Sequence, residues 1–268
     1  MSISICGAPC CWGVEGLENP DMPVWQTVLG EAHQAGFRAL ELGPYGYLSL
    51  DAAVTSAALE ENGLSVVAGT VFNDLVDPQN RPRLIQIAED ICSLITKLPP
   101  LPSHEGQHFP TPYLVIIEWG HDERDFSAGH SDRAPRLNDK QWNDMVESIL
   151  ALCGVAERYG VRPVIHPHAG GYIEFADEID RIAASIPHEK AGLCLDTGHL
   201  RFSGMDPVTW LKKYADRLDY VHFKDINQPV FQQILGERLR FFEACGKGAM
   251  CPIGTGMLDY EAIRGALD

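Results

Sequence analysis

Apolar and polar positions along this chain follow two alternating patterns. Runs of four to six mostly apolar residues have the length of strands buried on both faces: Ile3–Ala8, Ala39–Leu42, Leu64–Gly69, Tyr113–Ile117, Val161–Ile165, Ala191–Leu195 and Asp219–Phe223. Between them apolar residues recur at helical spacing, predicting helices over Val24–Ala35, Ala52–Glu61, Arg83–Leu98, Asp139–Tyr159, Ala176–Ser185 and Pro207–Tyr214. Further helices are expected near Gln232–Cys245 and Tyr260–Leu267. Breakers fall where these helices should stop, at Gly36, Asn62-Gly63, Pro99-Pro100 and Gly160. Pro99–Pro112 and Glu123–Asn138 carry no period and read as loops. The second follows a strand and is placed to cover a functional face. The β-α-β-α series predicts a parallel sheet with right-handed crossovers.

A closed parallel barrel needs eight strands, and seven are predicted. Leu258–Asp268 reads as a helix where the eighth strand should begin. The expectation is therefore a single domain over residues 1–268, lacking strand eight and helix eight.

Composition narrows the function classes. Hydrophobic residues make up 45% of the 268 and charged residues 22%, an ordinary globular balance. The formal net charge of −16 opposes phosphate backbones and anionic lipid surfaces, so neither nucleic acid nor membrane is an expected partner. The eight cysteines form no CxxC pair and read as reduced core thiols of a cytoplasmic protein. Met1–Cys6 lacks the basic and apolar regions of a leader, and no run reaches membrane-spanning length.

The candidate chemistry sits at the strand ends. Glu41, Glu118, His166-Pro167-His168, Asp196 with His199, and His222 with Lys224 and Asp225 each follow a predicted strand. In a parallel β/α protein the carboxyl ends of the strands meet on one rim, where chemistry is done. His166 and His168, two apart, share a face in extended chain. A mixed imidazole–carboxylate set suits Mn²⁺, Co²⁺, Fe²⁺ or Zn²⁺ better than Ca²⁺. Each residue also has a plain structural reading: loop capping for the His166/His168 pair, an Asx turn for Asp196, a satisfied core position for His222, a solvated neighbour of Asp225 for Lys224. Five of the seven predicted strands ending this way favour a site. Gly254-Thr255-Gly256 lacks the Lys-Ser/Thr of a phosphate loop, and no nucleophile elbow is present. Trp12, Trp25 and Phe72 read as core or pocket-wall aromatics.

Five segments carry a family resemblance: Glu41-Leu42-Gly43-Pro44-Tyr45-Gly46-Tyr47-Leu48, Gly69-Thr70-Val71-Phe72, His166-Pro167-His168-Ala169-Gly170, Leu195-Asp196-Thr197-Gly198-His199-Leu200 and Val221-His222-Phe223-Lys224-Asp225. They resemble the xylose-isomerase-like TIM barrels, a superfamily of sugar isomerases, epimerases and inosose dehydratases, and most of all the inosose-dehydratase-like branch. The resemblance implies a (β/α)8 TIM barrel and a divalent cation, Mn²⁺ or Co²⁺ first, with Zn²⁺, Fe²⁺ or Mg²⁺ as alternatives. It implies Asp196, His222 and either His166 or His168 as ligands; a His stands at position 166 where many relatives place a ligating Glu. A fourth ligand, a carboxylate at the end of strand eight, falls beyond this sequence.

The resemblance further implies Glu41 or Glu118 as general base, with His199 or Lys224 donating to substrate oxygens. Trp12, Phe72, His168, His199, Lys224 and Asp225 would surround the substrate. The implied reaction is proton abstraction next to the carbonyl of a keto-inositol or keto-sugar, leading to dehydration or, alternatively, to isomerisation or epimerisation. A homodimer is compatible with such a fold. Two readings compete: a phosphodiesterase of the endonuclease-four kind, opposed by the charge of −16 and by missing ligands, and a catalytically silent barrel used as a binding module.

Overall fold

The computed structural model describes residues 3–268. Met1 and Ser2, the start of the segment read as lacking a leader, lie outside the described residues. Six strands form a sheet in the order β1 (Ala39–Glu41), β2 (Ser65–Asn73), β3 (Tyr113–Glu118), β4 (Arg162–Ile165), β5 (Gly192–Asp196) and β6 (Leu218–His222). The pairs β1–β2, β4–β5 and β5–β6 are parallel. Sequential parallel neighbours joined by helices are the winding of a β/α barrel. Every residue of β3 and β5 is buried, as their uninterrupted apolar runs require.

The helices are α1 (Trp25–Gln34), α2 (Ala52–Glu61), α3 (Arg81–Ile95), α4 (Asp122–Asp125), α5 (Asp139–Tyr159), α6 (Ala176–Ser185), α7 (Thr197–Phe202), α8 (Pro207–Lys213), α9 (Gln228–Glu237), α10 (Phe241–Gly246) and α11 (Tyr260–Leu267). On α5, Trp142, Met145, Ile149, Leu152 and Ala156 are buried, a stripe at alternating spacings of three and four. Asp51, Asp206 and Asp259 cap α2, α8 and α11 through backbone N–H groups.

Contacts divide the chain into two compact units. One holds the chain up to Val71 with Pro82–Val115 and Ala151–Pro163; the other holds Phe72–Arg81, Ile116–Leu150 and Val164–Asp268.

Several expectations are corrected. The strand predicted over Ile3–Ala8 is reduced to one bridge, Gly7 with Leu40, because the chain turns at once into a 3₁₀ helix, Pro9–Trp12. Ile5 is left exposed. The helix predicted over Gln232–Cys245 is two, α9 and α10, divided where Arg238 takes a left-handed backbone with φ of 51°. The predicted loop Glu123–Asn138 begins inside the short α4. An antiparallel pair of two-residue strands, β7 (Asp225–Ile226) and β8 (Met250–Cys251), was not predicted. Cys10 and Cys11, read as core thiols, are exposed; Cys92, Cys153 and Cys194 are buried. No helix among the described residues is long and apolar enough to cross a membrane.

Candidate metal centre

Asp196 ends β5, and its register partner on β6 is His222. Adjacent parallel strands of equal reach therefore bring the two side chains together. Asp196 uses its oxygens separately. Oδ1 accepts the backbone N–H groups of Gly198 (2.8 Å) and His199 (3.0 Å), capping α7. Oδ2 faces the site: His166 Nε2 lies at 3.6 Å, His222 Nδ1 at 3.8 Å and His199 Nε2 at 3.9 Å, and Lys224 Nζ donates to it. Asp196, His166 and His199 are almost fully buried.

Hydrogen bonds assign the imidazole tautomers. The Ala169 peptide lies between two rings: its N–H donates to His199 Nδ1 at 3.1 Å, and its carbonyl accepts from His168 Nδ1 at 2.9 Å. Neutral His199 therefore carries its proton on Nε2, towards Asp196, while His168 keeps a lone pair on Nε2. Burial lowers the pKa of all three inner histidines, to about 4 for His166 and well below the ordinary range for His168 and His199. Burial alone would raise Asp196, but the charge of Lys224, with the histidines, holds it well below the usual carboxylate range. The centre thus offers one anion and neutral imidazoles.

That donor set fits a divalent cation. His166 Nδ1 is buried without a hydrogen-bond partner. His166 joins Asp196 and His199 in one group of ligand atoms within 4.8 Å of one another, and Cys194 and His222 in another. His168 is in neither group. Cys194 is a candidate ligand missed in the sequence, where it read as a core thiol; it lies two residues before Asp196, hence on the same face of β5.

The remaining expected site residues take varied places. Glu118, at the end of β3, is buried and committed: Oε1 meets His121 Nε2 at 2.8 Å and Oε2 accepts the Tyr172 N–H. His121 also lies 3.3 Å from Asp74, so Asp74, Glu118 and His121 form a second cluster of metal-capable groups. Burial lowers the His121 pKa, but Glu118, Asp74 and Glu123 outweigh it and the net shift is upward. Phe72 stacks on Trp119 with centroids 5.2 Å apart and lies 5.3 Å from the His168 ring. Phe241 and Phe242, unremarked in the sequence, complete this wall at 5.0 and 6.3 Å from His168.

Asp225, expected beside substrate, is instead a buried fastener: it accepts backbone N–H groups from Ile226, Gly254, Gly256 and Leu258 at 2.8–3.1 Å. Those N–H groups of the Gly254–Gly256 turn are consequently not turned to a phosphate. In the other unit, Glu41 ends β1 opposite Ala68, and Trp12 donates to Glu31 at 2.7 Å.

Tight packing supports the centre. A Cβ on Gly198 would lie 2.6 Å from Lys224 Cβ. Gly170 has a φ of 90°, and a Cβ there would lie 2.7 Å from the Trp119 ring. Thr197 donates to the Lys224 carbonyl at 2.8 Å, and Tyr260 donates to the same oxygen at 3.0 Å.

A parallel β/α sheet carrying a carboxylate–imidazole centre at its strand ends defines the class, barrel enzymes working at the C-terminal rim. The chain belongs to the xylose isomerase-like TIM barrel family, whose model matches residues 29–268, and it is an enzyme of that family. It is 30% identical to the inosose dehydratase of Geobacillus kaustophilus (strain HTA426), over 96% of this chain and 80% of that one. Among solved structures, it is similar to the probable 3-DHS dehydratase AsbF from Bacillus anthracis, with TM-score 0.71, 13% identity, and 99% and 89% of the two chains covered. The IOLI protein with a binding zinc atom gives TM-score 0.67 at 14% identity, covering 99% and 84%. These two likenesses establish the fold.

Proposed function

We propose that this protein is a divalent-metal-dependent lyase that dehydrates a keto-inositol, starting with proton abstraction next to the carbonyl. The observation that carries the reading is Asp196 Oδ2, an ionised oxygen ringed by three imidazoles within 3.9 Å. Similarity to inosose dehydratases over nearly the whole chain supports the substrate class.

Asp196, His222 and His166 are the proposed ligands; His166 is preferred to His168 because its ligand atoms fall within the two metal-capable groups. A cation bound there supplies Lewis acidity at the substrate carbonyl. Everything else falls to the chain. His199 Nε2–H and Lys224 Nζ point into the same space around Asp196 Oδ2 and donate to substrate oxygens. The wall of Phe72, Trp119 and Phe242 excludes water and lies against the apolar face of the ring. Of the two carboxylates considered for the base, Glu118 ends β3 in the unit that carries the centre and takes the proton; His121 and the Tyr172 N–H each hold one of its oxygens and leave a second lone pair on each. The C–H bond next to the carbonyl breaks first. The C–O bond of the hydroxyl on the following carbon then breaks, and that oxygen leaves as water after protonation by the Lys224 ammonium, while neutral His199 only donates a hydrogen bond.

The test is a keto-inositol incubated in deuterated water with Mn²⁺ or Co²⁺ and followed by proton NMR. The reading predicts a dehydrated product, and loss of turnover in Glu118→Gln with metal content unchanged. Exchange that ends in a stereoinverted product would replace dehydration by epimerisation. Neither exchange nor turnover would refute both.

A further inference from the structure

The stretch following β3 and the joint between α9 and α10 border an open surface pocket of about 460 Å³ lined by Glu123, Phe126, Ser127, Arg133 and Arg238. None of these belongs to the carboxylate–imidazole centre. On a chain of net charge −16, two guanidinium groups facing one pocket are conspicuous. The Arg238 guanidinium makes no hydrogen bond or ion pair among the described residues. Among the described residues Arg238 is the non-glycine residue with positive φ, at 51°, a backbone that disfavours any residue bearing a Cβ by about 1 kcal/mol. Strain of that kind concentrates where a side chain is held for a purpose.

Arg133 has only a loose, exposed contact with its neighbour Asp132 at 3.6 Å among the described residues. Glu123, the acid in the lining, is already engaged by the Tyr172 hydroxyl at 2.7 Å. A third guanidinium, of Arg240, lies 4.2 Å over the Phe126 ring. That guanidinium is already paired with Asp122 and Asp125, which leaves Arg133 and Arg238 as the cations for a ligand; both lower the pKa of nearby His130, after burial and against Asp132.

We propose that this pocket is a second, separate site for a small oxyanion, a phosphate or carboxylate group held between the Arg133 and Arg238 guanidiniums. Guanidinium forks match the paired oxygens of both groups, and a bound anion relieves their mutual repulsion. Its position gives it a consequence. Arg238 stands at the joint that leads into Phe241 and Phe242, which pack against His168. An anion bridging Arg133 and Arg238 therefore ties this joint to the stretch after β3, beside the aromatic wall.

The experiment is isothermal titration of the whole protein with inorganic phosphate and, separately, malonate, in an anion-poor buffer. Saturable binding of one of them is expected, and which one saturates names the source of the oxyanion. Arg133→Ala and Arg238→Gly should each weaken it by about tenfold or more, while Asp196→Asn should leave it unchanged. Glycine accepts the left-handed backbone, so Arg238→Gly should melt no lower than the parent and its loss of binding is not a loss of fold. The proposal is overturned if neither anion saturates, if the arginine variants bind as the parent does, or if Asp196→Asn abolishes binding, which would assign the anion to the metal centre.

Discussion

Asp196 combines two duties that are usually separate. One oxygen closes the first turn of α7 and the other is left for the site, so the carboxylate is aimed by the helix it caps. Asparagine keeps a capping acceptor but loses the charge; alanine loses both. Asp196→Ala should therefore be less stable than Asp196→Asn by about 1 kcal/mol, the usual worth of such a cap, as read by urea denaturation. His121 makes a different prediction. Its pKa is raised in the folded protein, so its contribution is fully present below its ordinary range and is lost as pH rises through the folded value. Replacing His121 by Gln should cost ~1 kcal/mol at pH 6 and clearly less at pH 9. An equal loss at both values would remove the ion pairs with Glu118 and Asp74 from the account.

Between elements, the strand-to-helix junctions hold the geometry. The turn from β5 into α7 works because Gly198 has no Cβ to meet Lys224. Gly198→Ala should cost roughly 1–3 kcal/mol, seen as a lower melting temperature, and displace Lys224 from Asp196. This junction also marks the limit of what the sequence reveals. The predicted bounds of α2, α5, α6 and α11 match the structure, because each shows helical periodicity between clear breakers. Helix α7 was missed: it has six residues, begins on a functional carboxylate and contains a glycine. The two-residue strands β7 and β8 are too short for any alternation to register. Asp196, His166 and His222 were legible as candidates because strand ends converge in parallel β/α folds. The commitment of Glu118 to His121 and Tyr172, and of Asp225 to a loop, was not, because those partners lie 3 to 54 residues away and depend on tertiary packing.

In the unit that carries the centre, a buried ionic cluster binds distant segments. Arg124 reaches Glu178 at 2.6 and 3.0 Å and Glu174 at 3.4 Å. Glu174 in turn accepts from Gly129, Ser203 and Gly170, next to the peptide that orients His168 and His199. Burial, opposed by Arg124, pushes Glu174 up to about 7. Arg124→Ala leaves Glu174 buried without its cation and Glu178 with Arg136 alone, 3.3 Å away, and should cost about 3–5 kcal/mol, measured by denaturant unfolding.

The strand-end centre itself is tested most directly by metal binding. Purified parent protein and the His222→Ala and Asp196→Asn variants, dialysed against Mn²⁺ and then metal-free buffer, are assayed by elemental analysis alongside circular dichroism. The account predicts near-stoichiometric metal in the parent and little in either variant, with all three folded. Metal content unchanged in both folded variants, or absent from the parent, would contradict it.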